Sequence, residues 1–179
     1  MGESLSLGPR ITGDHHYALL EHVLPMCTGV AVEFGVGSGT STRLIAAHMP
    51  VIGFDSFAGL PEDWRTEFPK GSFAHPKPDI DNATIVEGWF ADTLPAFDFS
   101  GLDIGLVHFD ADLHSSTATA LEYIGPHIGN GTIVVFDEFH SFDGAEDHEQ
   151  RAWTEWTANA GIDYTPIGHG FEQAAFRCG

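Results

Sequence analysis

The hydrophobic residues of this chain fall into short continuous runs, separated by longer segments in which apolar residues recur at helical spacing. The runs predict seven β-strands, at residues 30–34, 51–54, 83–86, 104–109, 132–136, 164–167 and 174–176. Helices are predicted around these strands, at residues 14–24, 40–47, 115–124 and 145–160. Strands that are apolar throughout suit a sheet covered on both faces. Their alternation with helices therefore predicts an α/β fold with a mostly parallel sheet and helices on both faces.

Residues 56–82 fit neither pattern, because prolines and glycines interrupt them at short intervals. The interruptions are Gly59, Pro61, Pro69, Gly71, Pro76 and Pro78. Trp64 and Phe73 lie in the same stretch, and large apolar side chains need a surface to cover. The composition therefore predicts a candidate lid, and an ordered surface loop is the alternative.

The size and charge of the chain limit the number of domains and the kinds of partner that are expected. With 179 residues it is expected to form a single domain, 1–179. Its 26 acidic and 7 basic residues give a formal net charge of −19, which repels phosphate backbones and anionic membranes. Two cysteines are too few for a disulfide framework, and the N-terminus lacks the basic and apolar stretches of a signal peptide. We therefore expect a cytoplasmic protein that binds neither nucleic acid nor membranes.

A glycine-rich turn follows the first predicted strand, with the sequence Glu33-Phe34-Gly35-Val36-Gly37-Ser38-Gly39-Thr40. Alternate glycines let the backbone approach a ligand, and the next helix presents free N–H groups to a carboxylate or phosphate. The third glycine comes one residue too early for the dinucleotide fingerprint, which weakens the hypothesis of a nicotinamide-dependent oxidoreductase. Asp55 ends the second strand, where an acid can accept hydrogen bonds from ribose hydroxyls. A plain strand-to-helix turn is the alternative for the glycines, and a loop cap is the alternative for Asp55.

Four carboxylates follow the fourth and fifth strands. They are Asp110, Asp112, Asp137 and Glu138. Neighbouring parallel strands end at the same edge of a sheet, so these groups are expected to converge, and together they require a cation or raised pKa values. Oxygen ligands suit Mg²⁺ or Mn²⁺. His114 and His140 would shift that preference toward a transition metal if they pointed inward, and helix capping is the alternative role for Asp112.

The GxGxG turn with its preceding acid resembles motif I of class I S-adenosylmethionine (SAM) methyltransferases. With its other motifs, the chain resembles the macrocin O-methyltransferase family, metal-dependent enzymes that methylate sugar hydroxyls of macrolides and related natural products. The matching segments are VEFGVGSGTST (32–42), GFDSFAGLPE (53–62), KGSF (70–73), GWFADTLP (88–95) and DADLHSSTATALEYIGPHIGNGTIVVFDEF (110–139). The resemblance implies a Rossmann-like fold with a seven-stranded sheet and SAM as methyl donor. It also implies that Asp110, Asp137 and Glu138 hold Mg²⁺ and that Asp112 is the general base.

Methyl transfer requires an acceptor oxygen held in line with the sulfonium carbon, and a group that takes its proton. Asp112 is the candidate base, with His114 as a substitute. Gly35 and Gly37 are expected beside the methionine end of SAM, and Ser38 or Ser41 at its carboxylate. Trp89 and Phe90 are expected beside adenine, and core packing is the alternative for either ring. The full predicted cofactor-binding set is Glu33, Gly35, Gly37, Ser38, Ser41, Asp55, Ser56, Gly88, Trp89, Phe90 and Asp110.

The predicted function is SAM-dependent O-methylation of a small-molecule hydroxyl, on a sugar or natural product, with Mg²⁺ or Mn²⁺. Three alternatives stay open at this stage: a SAM-binding module without catalysis, a metal-independent methyltransferase, and the nicotinamide-dependent oxidoreductase. A homodimer is one assembly that the sequence allows.

Overall fold

The computed structural model describes residues 5–179 and contains one seven-stranded sheet flanked by helices. The strands are β1 (Val30–Phe34), β2 (Val51–Asp55), β3 (Ala83–Glu87), β4 (Ile104–Phe109), β5 (Ile133–Phe136), β6 (Tyr164–His169) and β7 (Ala174–Cys178). The helices are α1 (Ala18–Val23), α2 (Thr40–Ala46), α3 (Phe90–Thr93), α4 (His114–Ile124) and α5 (Glu149–Ala160). Short 3₁₀ turns lie at Leu24–Met26, Leu94–Ala96, Gly125–His127 and Ala145–Asp147.

The strand order is β3-β2-β1-β4-β5-β7-β6. Pairs from β3 to β5 are parallel, whereas β7 runs antiparallel to both of its neighbours. The prediction of a mostly parallel, Rossmann-like sheet is confirmed. After β1 the chain moves outward to β2 and β3 and then returns to β4 on the other side of β1. The order therefore reverses between β1 and β4, where ligands of such folds bind beyond the carboxyl ends of the strands.

Four phenylalanines form a row across the sheet, one at or next to the end of each central strand. They are Phe54, Phe34, Phe109 and Phe136, taken in the order β2, β1, β4, β5. Neighbouring rings in the row have centroids 5.0–5.5 Å apart and are nearly parallel, and all four side chains are fully buried. The residues that follow them are Asp55, Gly35, Asp110 and Asp137. This row, called here the phenylalanine row, fixes the level at which the strands end and the polar residues begin.

Two helix boundaries differ from the sequence-based prediction. Helix α1 begins at Ala18 rather than at residue 14, because residues 14–17 form a turn. The predicted helix 145–160 is divided at His148, whose backbone has φ −113° and ψ −122°, so that α5 begins at Glu149. The short helix α3 was not predicted; it directly follows Trp89.

Residues 56–82, all of which the structure describes, form turns without a helix or strand. The stretch closes on itself through hydrogen bonds from Leu60 N–H to the Ser72 carbonyl and from Gly71 N–H to the Leu60 carbonyl, both 2.9 Å long.

Among the described residues, no helix is both long and apolar enough to cross a membrane.

Candidate active site

A cleft of about 540 Å³ opens at the carboxyl ends of β1, β2 and β4, within the usual size range of small-molecule sites. Most of the predicted site residues line it. These are Gly35, Gly37, Ser38, Ser41, Asp55, Ser56, Trp89, Phe90, Asp110, Asp112 and Glu138. The reversal of strand order and the glycine turn therefore coincide in one cavity.

The glycine turn lies on the floor of the cleft and depends on backbone conformations that disfavour a side chain. Gly35 has φ +96°, and a Cβ there would lie 1.8 Å from the Asp110 carbonyl oxygen. Gly35 therefore allows β1 and β4 to approach closely at the cleft. Gly37 has φ +51°, but a Cβ there would meet nothing nearer than the His75 ring at 3.8 Å.

Asp55 binds the backbone of the glycine turn. Its Oδ2 accepts hydrogen bonds from Val36 N–H (2.8 Å) and Gly37 N–H (2.7 Å), and its Oδ1 accepts one from Phe57 N–H (2.7 Å). A carboxylate has lone pairs for about four hydrogen bonds, so Asp55 can hold the turn and still accept from a ribose hydroxyl. Asp55 therefore has the loop-capping role that the sequence offered, and its binding to a ribose hydroxyl stays a prediction.

Glu33 lies beneath the cleft rather than in its wall. It is fully buried; its Oε2 accepts a hydrogen bond from Thr42, and its Oε1 lies 3.0 Å from His108 Nδ1. Thr42 belongs to α2 and His108 to β4, so Glu33 ties β1 to both. The structure thus gives Glu33 a scaffolding role, while Gly88 joins β3 to β2 through a hydrogen bond from its N–H to the Asp55 carbonyl (2.9 Å).

The predicted aromatic pair beside the cleft has one packed and one exposed member. Phe90 packs edge-on against Phe34, with centroids 5.5 Å apart. Trp89 is 39% exposed at the rim. Trp89 is therefore the member with free ring surface for a planar ligand such as adenine.

The carboxylates after β4 and β5 converge, as predicted. Oxygens of Asp110, Asp112 and Glu138 lie within 4.8 Å of one another. A second group, consisting of His16, Asp137 and Glu138, meets the same distance limit. Asp112 has φ +61°, a left-handed conformation that Asp tolerates and that often occurs at functional sites.

Burial and mutual repulsion shift the acidity of this cluster. Burial raises the pKa of Asp112 to about 7, and the charge of Asp137 adds to the effect. Burial and neighbouring carboxylates also raise the pKa values of Asp110 and Glu138 well above their ordinary range. For Asp137, burial acts in the same direction, but the hydrogen bond from His16 and the charges of His108 and His16 outweigh it, so its pKa is lowered.

A divalent cation fits this cluster. Glu138 Oε2 is buried and has no hydrogen-bond partner among residues 5–179, which is costly unless a ligand engages it. Hard cations such as Mg²⁺ and Mn²⁺ bind oxygen ligands grouped in this way. Asp110 and Glu138 are the residues that would hold such an ion from the cleft side, and Asp137 would hold it from the other, so that Asp112 would stay free of the ion.

Two residues of this site were missed by the sequence analysis. Glu149, the first residue of α5, is fully buried and accepts hydrogen bonds from Ala111 N–H (3.3 Å) and Glu138 N–H (3.2 Å). It therefore joins the loops after β4 and β5 that carry the acids. His16 reaches Asp137 from the turn before α1, with its Nε2 2.6 Å from Asp137 Oδ2. The adjacent histidines 15 and 16 were the one available signal for His16, and Glu149 had none beyond its place at a predicted helix.

The histidines considered from the sequence point elsewhere. His114 Nε2 lies 2.9 Å from Glu155 Oε2 on α5, so the structure directs it away from the role of substitute base. His140 lies with its Nε2 3.1 Å from the Gln173 carbonyl oxygen and its Nδ1 close to Ser141.

Comparison with known proteins finds a family model, a curated relative and solved structures that this chain resembles. The sequence model of the macrocin O-methyltransferase (TylF) family matches residues 70–169. The 8-demethyl-8-(2,3-dimethoxy-alpha-L-rhamnosyl)-tetracenomycin-C 4'-O-methyltransferase of Streptomyces olivaceus is 29% identical over 154 residues, which are 69% of this chain and 58% of that protein. This chain therefore spans less than two thirds of the length of that curated relative.

Solved structures share the fold. The calicheamicin methyltransferase CalS11 superposes with a TM-score of 0.69 at 25% identity, covering 90% of this chain and 76% of that one. The O-methyltransferase NovP gives a TM-score of 0.64 at 19% identity, with the same coverage. An O-methyltransferase from Bacillus cereus, solved with S-adenosylhomocysteine (SAH), gives 0.57 at 15% identity and covers 89% of this chain and 77% of that one.

Proposed function

The chain belongs to the macrocin O-methyltransferase family, and on that premise we propose that it transfers a methyl group from SAM to a hydroxyl of a small molecule. One observation carries the proposal: three carboxylates from two strand ends meet beside a glycine turn in a single cleft. The glycine turn suits the donor, and the carboxylates suit the activation of a hydroxyl. A binding module would need only the first of these features.

The protein's own groups supply orientation and a proton acceptor. Asp112 lies in the cleft wall with a pKa of about 7, so it can take the hydroxyl proton near neutral pH. The acceptor oxygen forms a bond to the methyl carbon as the S–C bond of SAM breaks, and SAH leaves. A divalent cation bound by Asp110, Asp137 and Glu138 would stabilise the developing alkoxide.

We propose a sugar hydroxyl on a natural product as the acceptor class. The name of the Streptomyces olivaceus relative describes methylation at the 4' position of a rhamnosyl tetracenomycin. In this chain, Leu60 and Phe73 line the same cleft as Asp112, so the cleft offers apolar surface for a hydrophobic aglycone as well as the candidate base. Cytoplasmic location, residues 56–82 as a lid, the absence of nucleic-acid and membrane partners, and a homodimer all stay predictions.

The proposal is tested by measuring donor binding and turnover separately. We expect calorimetry to detect SAM binding to the wild-type chain, and Gly37→Arg to abolish it, because position 37 opens into the cleft. Asp112→Asn should keep SAM binding but reduce methylation of a panel of glycosylated acceptors by about 10²-fold or more. Asp98→Asn, an exposed aspartate in the loop before β4, is the matched control and should retain full activity.

Two results would refute the proposal. Absence of SAM binding to the wild-type chain would remove the donor site. SAM binding without turnover of any sugar, catechol or phenol acceptor would leave a binding module. Unchanged turnover in chelator would instead favour a metal-independent methyltransferase.

A further inference from the structure

His16 brings a nitrogen ligand to a cluster that otherwise consists of oxygens. It lies in the turn before α1, and its Nε2 is 2.6 Å from Asp137 Oδ2. Its side chain is 49% exposed, whereas that of Asp137 is only 6% exposed. A half-exposed ring is therefore bonded to a buried carboxylate.

We propose that His16 Nε2 is a ligand of the divalent cation and gives this site a preference for Mn²⁺ or Co²⁺ over Mg²⁺. The inference rests on the proposed function, because it concerns the same cation. Ligand atoms of His16, Asp137 and Glu138 lie within 4.8 Å of one another, and Glu138 also meets Asp110 and Asp112 within that limit. Adjacent ligands with bonds of about 2.1 Å lie roughly 3 Å apart in an octahedral site, so the 2.6 Å hydrogen bond between His16 and Asp137 would open by a few tenths of an ångström to admit the ion.

The buried Oε2 of Glu138 is the second observation that points to an ion. It has no hydrogen-bond partner among the described residues, although Glu138 N–H is bound by Glu149. A plain ion pair between His16 and Asp137 leaves this oxygen unsatisfied. A cation between the imidazole and the two carboxylates engages all three side chains.

Gln173 is placed to orient the His16 ring. It is 4% exposed, and its side-chain amide nitrogen lies 3.2 Å from His16 Nδ1 and 3.3 Å from His16 Nε2. Histidines that bind metals commonly donate their second ring N–H to a neighbouring group, which fixes the ring. With its carbonyl oxygen turned to Nδ1, the Gln173 amide would accept that proton and leave the Nε2 lone pair free for a cation beside Asp137.

The donor set determines the expected selectivity. Mg²⁺ prefers oxygen ligands and water, whereas an imidazole nitrogen favours metals later in the first transition row. A site with one imidazole and several carboxylates should therefore bind Co²⁺ and Mn²⁺ more tightly than Mg²⁺. His16→Ala should reduce this selectivity rather than abolish metal binding, because the carboxylates stay in place.

The test uses the full chain with Mn²⁺, Co²⁺ and Mg²⁺ as probes. We expect His16→Ala to weaken Co²⁺ and Mn²⁺ binding by about tenfold or more, while Mg²⁺ affinity changes by less than about threefold. Pulsed EPR of the Mn²⁺ form should show ¹⁴N coupling that His16→Ala removes. His15→Ala is the matched control, because His15 pairs with Glu21 on the surface and should leave affinity and spectrum unchanged.

Three outcomes would overturn the inference. Equal Co²⁺ affinity in wild type and His16→Ala would show that His16 is not a ligand. Tighter binding in His16→Ala would show that the imidazolium competes with the ion for Asp137. Absence of ¹⁴N coupling in a Mn²⁺ form that binds SAM and methylates its acceptor would reject His16 alone and leave the proposed function intact.

Discussion

Gly35 and Gly37 are two residues apart, but a methyl group at each would meet very different surroundings. At Gly35 it would overlap the Asp110 carbonyl oxygen, whereas at Gly37 it would project into open cleft. The sequence motif treats both glycines as donor-binding residues. The structure separates a position that lets two strands approach from a position that keeps the cleft open.

We expect Gly35→Ala mainly to destabilise the fold and Gly37→Ala mainly to reduce SAM binding. The left-handed backbone costs alanine about 1–2 kcal/mol at either position. Overpacking against β4 adds about 1–3 kcal/mol at Gly35 only. Urea denaturation should therefore give losses of about 2–5 kcal/mol for Gly35→Ala and about 1–2 kcal/mol for Gly37→Ala. Equal losses, or unchanged SAM affinity in Gly37→Ala, would contradict this division.

Residue spacing predicted the acids of the site but not the residues that hold them. Asp110, Asp112 and Glu138 follow strands, so their convergence follows from the geometry of a parallel sheet. Glu149 and His16 come from α5 and from the turn before α1, and long-range packing brings them in. The local sequence pattern does not encode such contacts. The same limitation explains why the sequence analysis placed Glu33 among the cofactor-binding residues, although it is buried beneath the cleft.

Among the strands, the phenylalanine row explains why the acids lie at one level along the edge of the sheet. Successive strands of a parallel sheet end together only if their register is fixed. Here Phe34 is paired with both Phe54 and Phe109, and Phe109 is paired with Phe136. The apolar runs predicted the strands and, for β4 and β5, the polar residues after them. The strand order and the antiparallel β7 lie beyond what periodicity reveals.

The segment 56–82 is irregular, yet it is attached to the rest of the molecule at defined points. Arg65 lies over the rings of Trp64 (4.0 Å) and Phe142 (3.6 Å), and its Nη2 donates to Glu172 Oε2 at 2.9 Å. Glu62 accepts a hydrogen bond from Ser115 on α4. Phe142 and Glu172 belong to the loops after β5 and β6. The segment is thus held at the same edge of the sheet as the cleft.

We expect Arg65→Met to release this segment without unfolding the sheet. The change removes a charge-assisted hydrogen bond and cation–π contacts from a pair that is about four-fifths buried, a loss of about 1.5–3 kcal/mol. Hydrogen exchange should rise in residues 56–82 and stay unchanged in β1 and β4. Arg151→Met removes an exposed pair with Glu155 and should have no measurable effect. Unaltered exchange in Arg65→Met would show that the contacts of Arg65 do not hold the segment.

For the molecule as a whole, the net charge of −19 and the buried acids favour cation binding for different reasons. The surface charge attracts any cation weakly and is screened by salt. The buried cluster requires dehydrated contact and ionised ligands. Binding in the buried cluster should therefore depend on pH and should be lost when one carboxylate is replaced, whereas binding to the acidic surface should show neither effect.

The pKa shifts determine whether the stability of the fold rises or falls with pH. The pKa of Asp112 rises from 3.8 to about 7 on folding, and those of Asp110 and Glu138 also rise. In the absence of metal, the stability due to these shifts is fully present below the unfolded pKa values and is lost as pH rises through the folded ones. Asp137 acts in the opposite sense, because its lowered pKa gives stability that is lost as pH falls. The pKa of Glu149 is raised as well, and Asp137 acts only below its ordinary pKa of 3.8, so the raised groups dominate above about pH 4.

We expect Mn²⁺ to raise the melting temperature more at about pH 8 than at about pH 6, because metal ligands must be deprotonated before they bind. At pH 8, free metal at about 100 times its Kd should stabilise the fold by about 2.7 kcal/mol. For a chain of this size that corresponds to roughly 5–10 °C by scanning calorimetry. Asp137→Asn, measured at equal ionic strength, should lose most of this increase. An equal increase at both pH values, or one that persists in Asp137→Asn, would instead indicate that the ion binds loosely to the acidic surface.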